Sequence, residues 1–511
     1  MIEKTVEKLI YYSKKHLFLD ELDAIYVRNV LFGKLHIAYP YTQNDIDFSE
    51  IDNLTVPDIL INELKNDILE NKIVDSSEVD RFITNIMGDL TPLPSMVKDK
   101  FYSFKNPQDG FDYLYDLQIK NNYIQKTAVD KNLLWKADFG DNYLEISINL
   151  SKPEKKNSDI AKLVASSSIP SNKYPSCLLC KENLGFVGTS SHPARGNIRI
   201  IPLNLDGSRW YLQYSPYVYY YQHCIVFDET HQKMTMGLTK FRRLFSFVEQ
   251  FPCFFIGSNS ELPIVGGSIL NHEHFQGGKH LLPLMFAKDK FVIDTPKYPH
   301  CKLSYLNFYN STFKIESEDK EEAINLLNEI YTSWRVYDDK DVDIISHEGN
   351  TQHSTVTPIA RKEGNKYIAF AILRNNRTSE KYPDGIFHAH KEYHNIKSEG
   401  IGLIEAAGLY ILPARLKRQS ESIAKILSDK TIDVEEFINI NPDFEIHRNF
   451  IIRLITQFGR DLSFEKASEI VRLAINETCV NILKNTATFK DDEKGQKHLQ
   501  KFIAQLNLKQ I

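Results

Sequence analysis

Cysteine is scarce. The chain has six, at positions 177, 180, 224, 253, 301 and 479 of 511. So sparse a set argues against a disulfide framework. Long apolar runs are missing too. No stretch approaches the length and apolarity of a membrane span. The opening residues, Met1-Ile2-Glu3-Lys4-Thr5-Val6-Glu7-Lys8, lack the apolar core of a signal peptide. The cytoplasm is therefore the expected compartment, and no membrane partner is expected. An excess of positive charge is also lacking: 62 Lys and Arg against 67 Asp and Glu give a net charge of -5. That balance supplies no global attraction to nucleic acid. Low-complexity tracts and short-period repeats are absent. What remains is a globular composition, 42% hydrophobic and 25% charged. Its length suits two or three domains, or a repeated one.

Residues 1 to about 150 read as mostly helical. Leu9, Ile10, Leu17, Leu19 and Leu22 are spaced for apolar helix faces, and 58–64 continues that character. Pro92-Leu93-Pro94 breaks the pattern, and Lys152-Pro153-Glu154-Lys155-Lys156-Asn157 reads as a surface connector. From about 173 short β-rich runs appear, at 198–201, 210–214 and 224–227. Asn204-Leu205-Asp206-Gly207 is the turn between the first two. Helices are expected over 241–251 and 321–336, and strands over 253–256, 355–359 and 367–373. The tail from about 418 returns to helices. His-x-His pairs at 272–274 and 388–390 suggest an old duplication.

The chemistry concentrates at Asn271-His272-Glu273-His274-Phe275-Gln276. In an extended strand, alternate side chains share a face, so His272, His274 and Gln276 would line one surface. Gly266, Gly267 and Ser268 precede them, and Gly277 and Gly278 follow. Consecutive amides near glycines can approach an anion closely. Neutral imidazole is available near pH 7 and can attack phosphorus, splitting one displacement into two. His274 is thus the expected nucleophile, provided an acceptor fixes its other ring nitrogen. Gln276 can donate to a phosphoryl oxygen without titrating.

Cys177-Leu178-Leu179-Cys180 has zinc-ligand spacing, with two thiolates on one turn. The chain has no second such pair. His231 and His272 are the candidates for the missing corners, with iron a possible substitute for zinc. A reduced, metal-free pair or a redox pair is the alternative.

Together with several longer stretches, these residues resemble galactose-1-phosphate uridylyltransferase, a branch of the histidine-triad superfamily. The stretches are 177–180, 197–203, 214–217, 254–259, 266–278, 373–377 and 383–388. In length and N-terminal extension the chain is similar to the bacterial class II form. The resemblance implies an α+β fold of two histidine-triad-like antiparallel-sheet domains in tandem, with a mostly helical N-terminal region and a helical C-terminal tail. The expected boundaries are 1–155, 173–300 for the catalytic domain, 301–417, and 418–511.

It also implies ping-pong transfer in galactose metabolism. UDP-glucose gives its uridylyl group to His274 and releases glucose 1-phosphate; galactose 1-phosphate takes the group to form UDP-galactose. Gln276 would contact the phosphoryl oxygens, where hydrolytic relatives carry a third His. Cys177, Cys180, His231 and His272 match zinc ligands. Asn259 matches a phosphate-contacting Asn, with slightly longer spacing to the nucleophile. Ser258, Gly267, Ser268 and Asn197 fall in matched stretches as substrate contacts. Glu405 matches a Glu that bonds hexose hydroxyls, or is a helix-surface carboxylate. The family forms homodimers.

Class I members carry prolines inside the motif, as His-Pro-His-Pro or a close variant, whereas here Glu273 occupies the intervening position and Asn271 the flank. Class I also has a second metal site. Here His388 and His390 are candidates for that region, alongside readings as substrate contacts or surface groups.

Two phosphates call for arginines. Arg199, Arg374 and Arg377 lie in the matched stretches and Arg195 just before one, and Arg199 could be aimed at the site by strand alternation or face solvent. Tyr217 to Tyr221 could flank a uracil or pack in the core. Two other functions compete. One is another histidine-triad nucleotidyl transfer, such as a dinucleoside-polyphosphate phosphorylase. The other is a non-catalytic zinc-stabilised nucleotide-binding protein.

Overall fold

A computed structural model describes residues 1–151, 174–189 and 191–506, and the backbone of 509–510. The connector expected at 152–157 lies outside the described residues. The fold is α+β, with antiparallel sheets and helical stretches at both ends of the chain. Its described residues form two compact units. One draws on Met1–Lys131, Ser171–Gln232 and His272–Gly277; the other on Asn132–Pro170, Lys233–Asn271 and Gly278–Ile511. Both are discontinuous in sequence.

The first unit opens with helices Ile2–His16, Glu21–Leu35 and Asp58–Glu70, the first packing on the other two. Val6, Leu9 and Ile10 recur at helical spacing and are buried, as the pattern requires. Asp20 caps the second helix by accepting from Leu22 N at 2.9 Å. Leu22 itself is 75% exposed, so it does not join the apolar face expected of it. The proline pair ends one helix and starts another: Val79–Asp89 stops before it, and Pro94 opens Pro94–Ser103.

An antiparallel ladder in this unit runs Ile201–Leu205, Ser208–Tyr214, Cys224–Asp228, His274–Gly278. The first two strands meet through Asp206 at φ 50° and Gly207 at φ 78°, the paired left-handed geometry of a tight hairpin. Leu203 faces Trp210, Leu212 faces Val226, and Val226 faces Phe275. Trp210 stacks on Phe275 with centroids 4.6 Å apart at 7°. That side of the ladder is therefore dry core, and His274 and Gln276 occupy the other.

The described residues of the second unit include a three-stranded sheet, a larger sheet and the short ribbon of His347–Glu348 with Thr351–Gln352. Leu133–Phe139 and Asn142–Asn149 form a hairpin inside the stretch expected to be mostly helical, and Leu409–Pro413 joins it in parallel. The larger sheet includes Asp289–Asp294, Cys301–Leu306, Thr312–Ser317, Lys366–Asn375, Ser354–Glu363 and Phe255–Gly257, in that order. Gly364 at φ 57° turns between its two longest strands. Helices Leu238–Gln250 and Lys320–Trp334 pack on this sheet, close to their expected positions. His388 and His390 stand on no strand, and of the pair at 272–274 only His274 does. From Arg415 the described chain is helical as far as Glu493–Gln505, and Lys509–Gln510 then pairs with Asp289–Asp294.

Candidate active site and metal centre

Four metal-ligating side chains converge in the first unit: Cys177, Cys180, His231 and His272, with donor atoms all within 4.8 Å of one another. The sulfurs are 3.6 Å apart. Cys177 Sγ lies 3.2 Å from His272 Nδ1, and Cys180 Sγ lies 3.1 Å from His231 Nδ1. A tetrahedral ion with ordinary Zn–S and Zn–N bonds has edges of roughly 3.3–3.8 Å, so the set needs only small adjustments to hold one. Its second shell is also in place. His272 Nε2 donates to Asp228 O at 2.9 Å, which leaves Nδ1 as the lone-pair nitrogen facing the sulfurs. The hydrogen bond between the thiols pushes Cys177 up and Cys180 down. One thiolate is thus favoured without any ion.

Two residues on, His274 is 5% exposed, and its Nδ1 is 2.8 Å from the carbonyl of His272. A carbonyl only accepts, so the ring proton sits on Nδ1 and the lone pair on Nε2. The acceptor needed to fix the tautomer is therefore a backbone oxygen next to a candidate metal ligand. Gln276 is half-buried. Its Oε1 lies 3.2 Å from Nε2 of His223, a residue that the motif did not reveal. Burial pushes His223 down to about 4, against the opposing pull of Gln276. The signal for His223 lay in its place just before the strand Cys224–Asp228. Pairing that strand with His274–Gly278 required the fold.

The glycine-rich loop belongs to the second unit. Ser258 is fully buried; it accepts from Lys240 Nζ at 3.2 Å and donates to Asn259 O at 2.8 Å. Asn259 Oδ1 accepts from Leu403 N at 2.8 Å, at the start of the short helix Leu403–Ala406. Asn259 Nδ2 lies where a side chain at Gly267 would begin: a Cβ there would stand 2.6 Å away. Ser268 is exposed. Glu405 is not a surface carboxylate. Its side chain is 12% exposed and accepts from buried Lys397 at 3.0 Å.

The arginines are mostly taken up by the fold. Arg199 is 4% exposed, and its donors meet five carbonyls: Pro92, Gly196, Ile198, Gly88 and Thr91, at 2.7–3.1 Å. No guanidinium hydrogen is left for a phosphate. Neither expected reading, substrate arm or solvated face, holds; the residue ties the approach to the strand Ile201–Leu205 to the helical layer. Asn197 points the same way, donating to Asn121 O at 3.0 Å, and is likewise not placed as a substrate arm. Arg374 is buried and donates to Ile401 O at 2.6 Å, while Arg377 pairs with exposed Glu348. Arg195 lies over the Tyr123 ring. Tyr220 is core, its hydroxyl donating to Gly277 O at 3.3 Å.

His388 is buried and accepts from Ile401 N at 3.2 Å; His390 stacks on Tyr382 at 4.1 Å. Neither joins a metal-ligating group among the described residues.

Known proteins give the same reading. The family profile described as galactose-1-phosphate uridyl transferase, N-terminal domain, matches residues 21–233, and the C-terminal domain profile matches 247–437. The galactose-1-phosphate uridylyltransferase of Clostridium acetobutylicum is 41% identical over 507 residues, covering 98% of this chain and 99% of the relative. That of Caldanaerobacter subterraneus is 40% identical over 518 residues, covering 99% and 98%. Among solved structures, yeast Ap4A phosphorylase aligns with 62% of this chain and 87% of its own at 11% identity, with a TM-score of 0.29 that is too low to bear on function. The N-terminal profile begins at 21, so it leaves out the helix Ile2–His16 and includes the later helices that precede the first ladder. The chain belongs to the galactose-1-phosphate uridylyltransferase family of nucleotidyl-transferring enzymes.

Proposed function

We propose that this chain transfers a uridylyl group from UDP-glucose to galactose 1-phosphate through a covalent intermediate on His274. The supporting observation is the 2.8 Å contact from His274 Nδ1 to the His272 carbonyl, which leaves Nε2 as the nucleophilic atom. Nε2 attacks the α-phosphorus, the bond to the bridging oxygen breaks, and glucose 1-phosphate leaves. A phosphate oxygen of galactose 1-phosphate then attacks the same phosphorus. The N–P bond breaks, its electron pair returns to Nε2, and UDP-galactose departs. As the ring gains positive charge in the first step, the His272 carbonyl stabilises the Nδ1–H. Gln276 supplies neutral donation to the phosphoryl oxygens. A base that could activate water would favour hydrolysis; an amide does not.

Cys177, Cys180, His231 and His272 would hold zinc, or iron in its place. Such an ion would supply a fixed anchor behind the strand that carries His274. Asn259, Ser258, Gly267, Ser268 and Glu405 are proposed to serve the substrates' phosphates and hexose. The protein is read as a cytoplasmic homodimer.

Incubation with UDP-glucose labelled at the α-phosphate, without acceptor, tests the central step. Acid-labile, base-stable label on the protein is expected, and His274→Asn should carry none. Equal labelling of both proteins would overturn the covalent route. Chasing the labelled protein with galactose 1-phosphate should release UDP-galactose.

A further inference from the structure

His223 lies outside the His-x-His-x-Gln motif, one residue before the neighbouring strand. Its backbone is fixed on both sides: its N–H donates to Tyr220 O at 3.1 Å, and its carbonyl accepts from Ser215 N at 2.9 Å. The preceding Gln222 is fully buried in a left-handed conformation at φ 56°. In the ladder Ile225 stands opposite Gln276, so His223 is the diagonal neighbour of Gln276 on the same face. Long side chains can meet across that diagonal. The ring is 2% exposed and stacks on Tyr219 at 5.1 Å.

The contact has a direction. Nε2 of His223 is 3.2 Å from Gln276 Oε1, and Nδ1 is buried with no partner. An amide oxygen only accepts, so the ring proton sits on Nε2 and Nδ1 carries a lone pair. Reversing the amide would move the proton to Nδ1, creating a buried N–H without an acceptor. An orphaned donor is the costlier defect. It would also turn the glutamine carbonyl toward the open face, where it would repel an anionic oxygen.

We infer that His223 is the positioning residue for Gln276: by donating from Nε2 to Oε1, it holds the amide so that its NH2 group meets the phosphoryl oxygens during transfer. This rests on the proposed phosphoryl contact of Gln276. Burial keeps the ring neutral near pH 7, so one proton is available for that bond and no second one competes.

A double-mutant cycle on the full-length, metal-loaded protein decides the matter. His223→Phe fills the ring's space without a donor. His223→Asn keeps a polar group too short to reach Gln276. His223→Gln places an amide nitrogen near the lost Nε2. Single-turnover labelling from UDP-glucose and steady-state transfer are both measured. Each removal variant should lower kcat about tenfold with little change in KM, the size of one lost hydrogen bond. His223→Gln should recover most of the loss. Gln276→Ala should lose at least as much, and adding His223→Phe or His223→Asn to it should cost nothing more.

Full activity of the removal variants beside an impaired Gln276→Ala would overturn the positioning role alone. The same fold-loss with and without Gln276 would also overturn it, because the ring would then act through the fold. An unimpaired Gln276→Ala would overturn the phosphoryl contact itself, and the positioning role with it.

Discussion

A single carbonyl decides which nitrogen of His274 can react. The His272 oxygen holds the Nδ1 proton, and the same residue's ring is tied by Asp228 so that its own Nδ1 faces the two thiols. One short stretch therefore sets two opposite tautomers, Nδ1–H at 274 and Nε2–H at 272. Arg199 shows the reverse lesson. A cation beside a proposed phosphate site reads as a substrate arm, yet here every N–H meets a carbonyl. Arg199→Ala should thus cost about 2–4 kcal/mol of stability by leaving buried carbonyls unpaired. The KM for UDP-glucose should stay within about twofold, since no transition-state contact is lost. Chemical denaturation paired with steady-state kinetics checks both. A large KM change in a protein of unaltered stability would return Arg199 to the substrate.

At the scale of elements, the metal-ligating cluster joins the turn at 177–180, the end of the strand Cys224–Asp228 and the approach to the His274 strand. Cys177→Ser should lower bound metal toward none and lower the thermal midpoint. Cys253→Ser, exposed and outside the cluster, should change neither. Elemental analysis and a melting curve read the outcome, and unchanged metal content would show that the ligand set is wrong. In the second unit, Gly267, Asn259 and Leu403 form a chain of contact from the loop to the helix that carries Glu405. A Cβ at 267 would meet Asn259 Nδ2 at 2.6 Å, so Gly267→Ala must displace that side chain and its bond to Leu403 N. A fall in kcat/KM of at least about tenfold is expected, as a misplaced site residue produces. Wild-type kinetics in Gly267→Ala would mean that the loop yields instead.

For the whole molecule, three buried histidines link stability to pH. Burial lowers His223 and His447 to about 4 and His388 to about 3, all from an ordinary 6.5. A histidine depressed in the fold takes up its proton on unfolding. Its contribution is therefore full above pH 6.5 and is lost as pH falls toward its folded value. Near pH 5 these three rings together should add close to three protons on unfolding, a steep rise of stability with pH. Urea midpoints taken from pH 7 down to 4.5 should fall accordingly. A flat profile would show that these rings are already charged in the fold. No described helix is long and apolar enough to cross a membrane, in keeping with the lack of long apolar runs in the sequence.

The sequence by itself determined the chemical groups and their local periodicity. The alternation of His274 and Gln276, the CxxC turn, the Asp206-Gly207 hairpin and the helices around 241–251 and 321–336 were legible, because each is set by neighbours a few residues away, whereas His272 lies just before the strand expected to carry it. The sequence could not show the hairpin Leu133–Asn149 ahead of time, since that strand pair is completed by Leu409–Pro413, far along the chain. Nor could it choose partners for side chains. That His231 and His272 meet both thiols, that Arg199 is enclosed by carbonyls, and that His223 faces Gln276 are facts of strand register and packing. Register and packing bring together residues from 51 to 111 positions apart, and local spacing carries no information about which of them will touch.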